Sequence, residues 1–203
     1  MAREEATKTQ LIIAMKGHPG TGKTTLARSL AQTLKIPLID KDDVRDSTFS
    51  VEATLLNHIS PATASQLLND LSYAAIWQLI STQLQLRLSV VVDSPLSRKA
   101  HLDKLIQLAS CTGARVVVVE CKPSDHCEWR VRLERRAAGD RSSWHKPSTW
   151  RDLERLIEGY DGCTEYDVGD VPKLVVDTVA AGTVEEHLAD VVEFIRCHGG
   201  ACV

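Results

Sequence analysis

The chain of 203 residues is 43% hydrophobic and 25% charged, which is typical of a globular domain that can bury a core. Its 24 lysines and arginines against 27 acidic residues give a net charge of −3, which excludes a general basic surface for nucleic acid. The length predicts a single α/β domain over residues 1–203, either alone or with a small mobile appendage.

Neither a membrane segment nor a secretory signal is predicted. No apolar run reaches the roughly 18 residues that a transmembrane helix needs, and the first residues lack the order of a secretory signal. The six cysteines are scattered without C-x-x-C spacing, which argues against a zinc site or a disulfide framework. We therefore expect free thiols and a cytoplasmic protein.

Five short apolar runs alternate with helical patterns along the chain. Because the runs lack polar alternation, both of their faces should be covered, as in a parallel sheet between helices. The runs lie at residues 11–15, 36–39, 90–92, 115–121 and 173–177. This order predicts a doubly wound α/β fold with a five-stranded, mainly parallel sheet.

The helical patterns lie at residues 24–34, 62–88, 97–111 and 183–198. The pattern at 62–88 leaves open whether that helix is kinked, and Thr183 with Glu186 predicts a capping box for the last helix. Residues 139–172 are polar, with one short helix predicted at about 148–159. A connection this long is typical of a lid or binding loop, within an acceptor region at about 130–170.

Residues 17–24 read G-H-P-G-T-G-K-T, which is the phosphate-binding motif G-x-x-x-x-G-K-[ST]. Its glycines let the backbone turn and point N–H groups at phosphate oxygens. Lys23 would reach the β- and γ-phosphates, and the Thr24 hydroxyl would ligate Mg²⁺. The predicted nucleotide-binding residues of this loop are Gly17, His18, Pro19, Gly20, Thr21, Gly22, Lys23, Thr24 and Thr25.

Acidic residues follow the second predicted strand, where ligands gather in doubly wound sheets. Asp42 there could accept the proton of an attacking hydroxyl, and Arg45 could hold the substrate or the transferring phosphate. Asp43 is the alternative base. A second alternative is that Asp42 and Asp43 only place negative charge in the first turn of a helix.

Two further groups of charged residues favour phosphate chemistry. Asp93 ends the third predicted strand, as the Mg²⁺-binding Asp of a Walker B strand does, although a turn with Ser94 and Pro95 would also explain it. Arg132 and Arg136 share a helix face and could neutralise phosphate charge in the transition state. Ion pairs with neighbouring glutamates are the alternative.

The phosphate loop together with D-D-V-R at residues 42–45 resembles the polynucleotide kinase, zeta-toxin and chloramphenicol phosphotransferase group of P-loop kinases. The resemblance covers the order of elements from residue 11 to about 195. It implies that Asp42 is the general base, that Arg45 contacts substrate and that Arg132 and Arg136 belong to the lid. It also implies that the loop at Thr178 borders the adenine, with ATP and Mg²⁺ as cofactors.

The expected function is transfer of the γ-phosphoryl group of ATP to a hydroxyl of a small-molecule acceptor. The acceptor should lie between the helix near Val44, the helix containing Tyr73 and Trp77, and the lid. A polynucleotide 5′-hydroxyl kinase is one alternative, which the acidic net charge disfavours. A non-catalytic nucleotide-binding switch is another. The sequence predicts neither the acceptor's identity nor the oligomeric state.

Overall fold

A five-stranded sheet forms the centre of the computed structural model, which describes residues 9–139, 145–179 and 183–199. The strands are β1 (Leu11–Lys16), β2 (Leu38–Asp40), β3 (Val90–Asp93), β4 (Arg115–Cys121) and β5 (Lys173–Val176). Every pairing is parallel, and the order across the sheet is β2-β3-β1-β4-β5. The predicted doubly wound α/β fold is therefore confirmed, and across the described residues the sheet is wholly parallel.

Helices cover both faces of the sheet. They are α1 (Lys23–Leu34), α2 (Lys41–Asp46), α3 (Phe49–Leu55), α4 (Pro61–Gln85), α5 (Lys99–Ser110), α6 (His126–Gly139), α7 (Trp150–Glu158) and α8 (Val184–His198). On β1, Ile12 and Ala14 join one core with α4 and α5, whereas Leu11, Ile13 and Met15 join another with α1 and α8. Burial on both faces explains why the strands are continuously apolar. In the described part of the chain, no helix is both long and apolar enough to cross a membrane.

The second strand starts two residues later than predicted. Pro37 lies in the predicted strand but has no N–H to donate to a ladder, although its carbonyl accepts from the Val91 amide at 2.9 Å. The helix predicted at 62–88 is α4, an uninterrupted helix of 25 residues. It begins at Pro61 because Ser60 Oγ accepts from the Thr63 amide as an N-cap.

The short helix α3 was not predicted from the sequence. Phe49 and Val51 on this helix are 60% and 47% exposed, so it lacks the apolar stripe that identifies a surface helix. Its buried residue is Glu52, which faces α2. Tertiary contacts with a charged residue therefore hold this helix in place.

The lid segment contains α7, close to the helix predicted at 148–159. Thr149 and Asp152 form a capping box at its start. Trp129 and Leu133 on α6 pack with Leu153 on α7 in a small apolar cluster of their own. The lid segment is thus attached to α6 by a cluster separate from the two cores that cover the sheet.

Candidate active site

The phosphate loop connects β1 to α1 in a shape that only glycine allows at its ends. Gly17 has φ of 147°, and a Cβ there would lie 2.7 Å from the Cys121 carbonyl oxygen and 2.9 Å from Thr21 Oγ1. Gly22 has φ of 80° and is the N-cap of α1 without a side-chain cap. Because the first turn of α1 also lacks acidic residues, its amide groups stay available to an anion.

Three contacts from other elements hold this loop in position. Trp129 Nε1 donates to the Pro19 carbonyl at 2.9 Å, and Thr178 Oγ1 donates to the Thr21 carbonyl at 2.7 Å. Arg132 in turn donates to the Thr178 carbonyl at 2.7 Å. The sequence predicted no role for Trp129. Its position four residues before Leu133 places both on one face of α6, which is the one local pattern that could have indicated a packing role.

His18 lies inside the loop against aromatic rings. Its ring centroid is 6.1 Å from that of Trp129 and 6.1 Å from that of Tyr160. Burial lowers the pKa of His18, and the positive charge of Lys16 lowers it further. The imidazole is therefore neutral at physiological pH and joins the loop to the lid by packing rather than by charge.

Lys23 forms a buried ion pair with Asp93, the predicted Walker B residue. Burial alone would lower the pKa of Lys23, but the charge and hydrogen bond of Asp93, joined by Asp42 and Asp40, raise it above its usual value. Asp93 is 1% exposed, and its second oxygen, Oδ2, has no hydrogen-bond partner among the described residues. A buried carboxylate oxygen without a donor is suited to a cation or its bound water.

Asp40 stands beside Asp93 because the two residues are in register on β2 and β3. Burial, and then the negative charge of Asp93, raises the pKa of Asp40 to about 6. Asp40 also caps α2 by accepting from the Asp42 amide at 2.9 Å. The sequence analysis gave Asp40 no role, although it is the last residue of its strand.

The donor set suits Mg²⁺ held mainly by a nucleotide. Among the described residues, no group of three or more His, Cys, Asp or Glu is placed to hold a metal ion. Mg²⁺ in phosphoryl-transfer sites takes one or two carboxylates together with phosphate oxygens and water. Asp93 and the Thr24 hydroxyl would supply the protein's share, with Asp40 beside Asp93.

Asp42, the predicted general base, is covered by two residues of the lid segment. Lys146 Nζ lies 2.9 Å from Asp42 Oδ2, and His145 Nε2 lies 3.4 Å from Oδ1. Burial would raise the pKa of Asp42, but His145, Lys146 and Lys41 together hold it well below its usual range. Asp42 is therefore an ionised, partly buried carboxylate, whereas Asp43, which lines the same cavity, is exposed.

Arg45 is buried rather than directed freely into solvent. Its guanidinium donates to Thr48 Oγ1 at 2.9 Å and to Glu52 Oε2 at 3.0 Å, and the residue is 2% exposed. These bonds join α2 to α3 beneath the acceptor side of the cavity. Arg45 also borders the cavity, and its predicted contact with substrate stays a prediction.

The predicted lid arginines both line the cavity on α6. Arg132 pairs with Glu128 at 2.9 Å, as the alternative interpretation expected, and also reaches Thr178 next to the phosphate loop. Arg136 donates to the Pro147 carbonyl at 3.3 Å and so connects α6 with the lid segment. Their contact with phosphate stays a prediction.

The phosphate loop and the candidate base, Asp42, line one cavity of about 1120 Å³. The predicted site residues that line it are His18, Pro19, Gly20, Thr21, Gly22, Lys23, Thr24, Thr25, Asp42, Arg45, Arg132, Arg136 and Thr178. Gly17 and Asp93 lie behind this lining, in contact with Thr21 and Lys23 respectively. Of the lid aromatics, Tyr160 lines the cavity and Trp150 packs against α6, while Trp144 and residues 180–182 of the predicted adenine loop lie outside the described residues.

A glycine-bounded loop, a lysine and a strand-end aspartate define a P-loop domain of the kinase-like fold. A family model described as an AAA domain matches residues 12–158, and the chain belongs to that family. The finer resemblance to the polynucleotide kinase, zeta-toxin and chloramphenicol phosphotransferase group stays a prediction.

Solved kinase structures share the whole fold at low sequence identity. A candidate kinase from Chloroflexus aurantiacus J-10-fl superposes with a TM-score of 0.72 at 21% identity, over 95% of this chain and 100% of its own. A gluconokinase from Sinorhizobium meliloti 1021 superposes with a TM-score of 0.60 at 18% identity, over 95% of this chain and 94% of its own. A sugar kinase from Janibacter sp. HTCC2649 superposes with a TM-score of 0.62 at 14% identity, over 96% of this chain and 99% of its own.

Two curated relatives match over short segments. Cytidylate kinases of Pyrobaculum arsenaticum and Pyrobaculum neutrophilum are 52% identical over 29 residues and 44% identical over 34 residues. These segments span 14% and 17% of this chain and 16% and 18% of the relatives' length. Such short matches carry nothing about the activity of the whole chain.

Proposed function

We propose that the protein transfers the γ-phosphoryl group of ATP, bound with Mg²⁺, to a hydroxyl group of a small molecule held beside Asp42. The observation that carries this proposal is the single cavity that joins the phosphate loop to the Asp42 carboxylate. Phosphoryl transfer needs nucleotide and acceptor in line within one chamber, with a carboxylate at the acceptor side.

Each role in the proposal follows from a position in the cavity. The loop amides and Lys23 hold the β- and γ-phosphates, and Lys23 leaves Asp93 to do so. The acceptor hydroxyl donates to Asp42 and takes the place of Lys146. As the acceptor oxygen bonds to the γ-phosphorus, its proton passes to Asp42, the bond to ADP breaks, and Arg132 and Arg136 neutralise phosphate charge.

Asp42 is favoured over Asp43 as the base by its surroundings. Both residues line the cavity, but Asp42 is ion-paired to lid residues, whereas Asp43 is an exposed residue of the first turn of α2. The low pKa of Asp42 keeps its carboxyl ionised, so that it can accept a hydrogen bond from the acceptor hydroxyl.

The test is an ADP-release screen with Mg-ATP and a panel of sugars, sugar acids, nucleosides, hydroxylated antibiotics and 5′-hydroxyl oligonucleotides. Asp42→Asn should abolish any acceptor-dependent signal, while Asp43→Asn, its matched control on the same turn, should keep it. ATP bound by wild type without ADP release on any acceptor would contradict the kinase proposal and favour the switch. A signal confined to oligonucleotides would favour the polynucleotide kinase.

A further inference from the structure

The acceptor end of the cavity carries polar side chains that are not used to hold the fold. Gln66, Asn69 and Asp70 line it from one face of α4, and Arg98 lines it from the loop that leads into α5. Within the described residues, none of these four side chains makes a hydrogen bond or ion pair to another residue. They therefore present free donors and acceptors to a molecule in the cavity.

Arg98 differs from three other cations that line the same cavity, Lys41, Arg45 and Lys146. Lys146 and Lys41 face Asp42 at 2.9 and 3.6 Å, and Arg45 is bonded to Glu52. Arg98 has no described carboxylate within ion-pair distance, although it shares the cavity wall with them. A guanidinium left without an anion at a cavity wall is suited to a carboxylate or phosphate of a ligand.

Arg98 and the candidate base Asp42 line the same cavity, together with Tyr73 and Tyr160. Burial raises the pKa of Tyr73 and Tyr160, the charge of Asp42 adds to the rise, and Arg98 opposes it in both. Both tyrosines thus lie within electrostatic reach of Asp42 and of Arg98.

We propose that the acceptor is a small hydroxylated anion, whose carboxylate or phosphate binds Arg98 and whose hydroxyl groups hydrogen-bond to Gln66, Asn69 and Asp70. The anion fixes the far end of the molecule, so that one remaining hydroxyl lies at Asp42. The amides can donate to and accept from hydroxyl groups, and Asp70 accepts from them. This inference rests on the proposed function and gives its acceptor a chemical class.

The kinetic test compares acceptors that differ only in the anionic group. Glycerol, glycerate and glycerol 3-phosphate form one matched set, and glucitol, gluconate and glucitol 6-phosphate form another. The acid or the ester in at least one set should have kcat/KM about tenfold or more above that of the neutral polyol. Which of the two is preferred separates a carboxylate from a phosphate.

Arg98→Gln should raise the acceptor KM about 10- to 100-fold, the usual range for a lost charge-assisted hydrogen bond, and should lower kcat far less. Lys99→Gln is the matched control, because Lys99 pairs with Asp103 at 3.5 Å and does not line the cavity. Neutral polyols used as well as the anions, or an unchanged KM in Arg98→Gln, would overturn the inference while leaving the kinase proposal intact.

A binding measurement decides the inference even if no acceptor is turned over. His101 lies on α5 within electrostatic reach of Arg98, so its ring signals in NMR report an anion bound there. Adding gluconate, glycerate or glycerol 3-phosphate should shift those signals in wild type and in Lys99→Gln, and not in Arg98→Gln. No shift in wild type with any of the three would overturn the inference.

Discussion

Lys146 Nζ lies 2.9 Å from Asp42 Oδ2, so a residue of the lid segment covers the carboxylate proposed as the base. His145 adds a second contact to Asp42, and it also lies 3.1 Å from Asp46 on the same helix. The lid segment therefore contacts α2 through Lys146 and His145, and in the proposed reaction the acceptor hydroxyl takes the place of Lys146. While Lys146 of the lid segment contacts Asp42, the carboxylate is not available to an acceptor, so access to Asp42 requires this contact to break.

Replacing Lys146 should weaken the positive electrostatic field at the Asp42 carboxylate. We expect Lys146→Met to raise the pKa of the Asp42 carboxyl, because one of the positive charges that lower it is removed. Carboxyl ¹³C NMR titration measures this value directly. Lys122→Met is the matched control, since Lys122 pairs with Glu165 at the surface. An Asp42 pKa equal in wild type and Lys146→Met would show that the ion pair is absent in solution.

Trp129 should contribute to ATP affinity through its single bond to the phosphate loop. Trp129→Phe keeps a ring in the cluster with Leu133 and Leu153 but removes the donor to the Pro19 carbonyl. We expect ATP to bind about fivefold more weakly, corresponding to about 1 kcal/mol for one hydrogen bond. Calorimetric titration of ATP into each variant measures the change.

Trp150→Phe is the control for this comparison. Trp150 belongs to the same aromatic cluster, with its ring centroid 5.2 Å from that of Trp129, but its Nε1 donates to Glu154 on the lid helix. ATP affinity should be unchanged in this variant. Equal weakening in both variants would mean that ring packing, and not the bond to Pro19, positions the loop.

Lys23 and Asp93 should be strongly coupled in stability. Asp93→Asn leaves the Lys23 ammonium buried without its anion, and Lys23→Met leaves the Asp93 carboxylate buried without its cation. Each change should cost about 3–5 kcal/mol of unfolding free energy, and the double change less than the sum. Urea unfolding of wild type, the two single variants and the double variant gives the coupling free energy between Lys23 and Asp93.

The exposed pair Lys99 and Asp103 provides the reference cycle. Their side chains are 56% and 55% exposed, so the same double substitution there should show a coupling below about 1 kcal/mol. A Lys23–Asp93 coupling as small as this reference would contradict a buried, charged pair in the nucleotide-free protein.

His101 should make stability depend on pH. Burial, and then the positive charge of Arg98, lowers the pKa of His101 from 6.5 to about 4. Between these values the unfolded chain binds more protons than the folded protein. The contribution of His101 is therefore complete above pH 6.5 and is lost as the pH falls toward 4.

His101→Asn should flatten this part of the stability profile. The full shift corresponds to about 3 kcal/mol, and since the ring is only partly buried we expect about 1–2 kcal/mol less dependence between pH 6.5 and 4.5. Urea unfolding at both pH values measures it. An identical difference between the two pH values in wild type and variant would contradict the role of His101.

Local sequence was sufficient for the elements whose signal is contained in a few neighbouring residues. The apolar runs gave four of the five strands to within one residue at either end, because strands buried on both faces contain no polar alternation. The capping box of Thr183 and Glu186 is present in α8 as predicted. The phosphate motif likewise needs only its own glycines to form the loop.

Tertiary structure decided everything that depends on residues distant in the chain. The burial of Arg45 follows from Glu52 on a helix that shows no apolar stripe, so no local pattern could indicate it. The raised pKa of Asp40 comes from burial and then from the charge of Asp93, which the strand order β2-β3-β1 places beside it.

The sequence by itself determined that this chain forms a parallel α/β domain with a phosphate loop, since periodicity and motif spacing are local properties. The tertiary structure alone decided that Lys146 covers Asp42 and that Arg98 lines the cavity without an ionic partner in the described part of the chain. Charge pairing depends on distances between side chains, and only folding brings residues 42, 98 and 146 around one cavity.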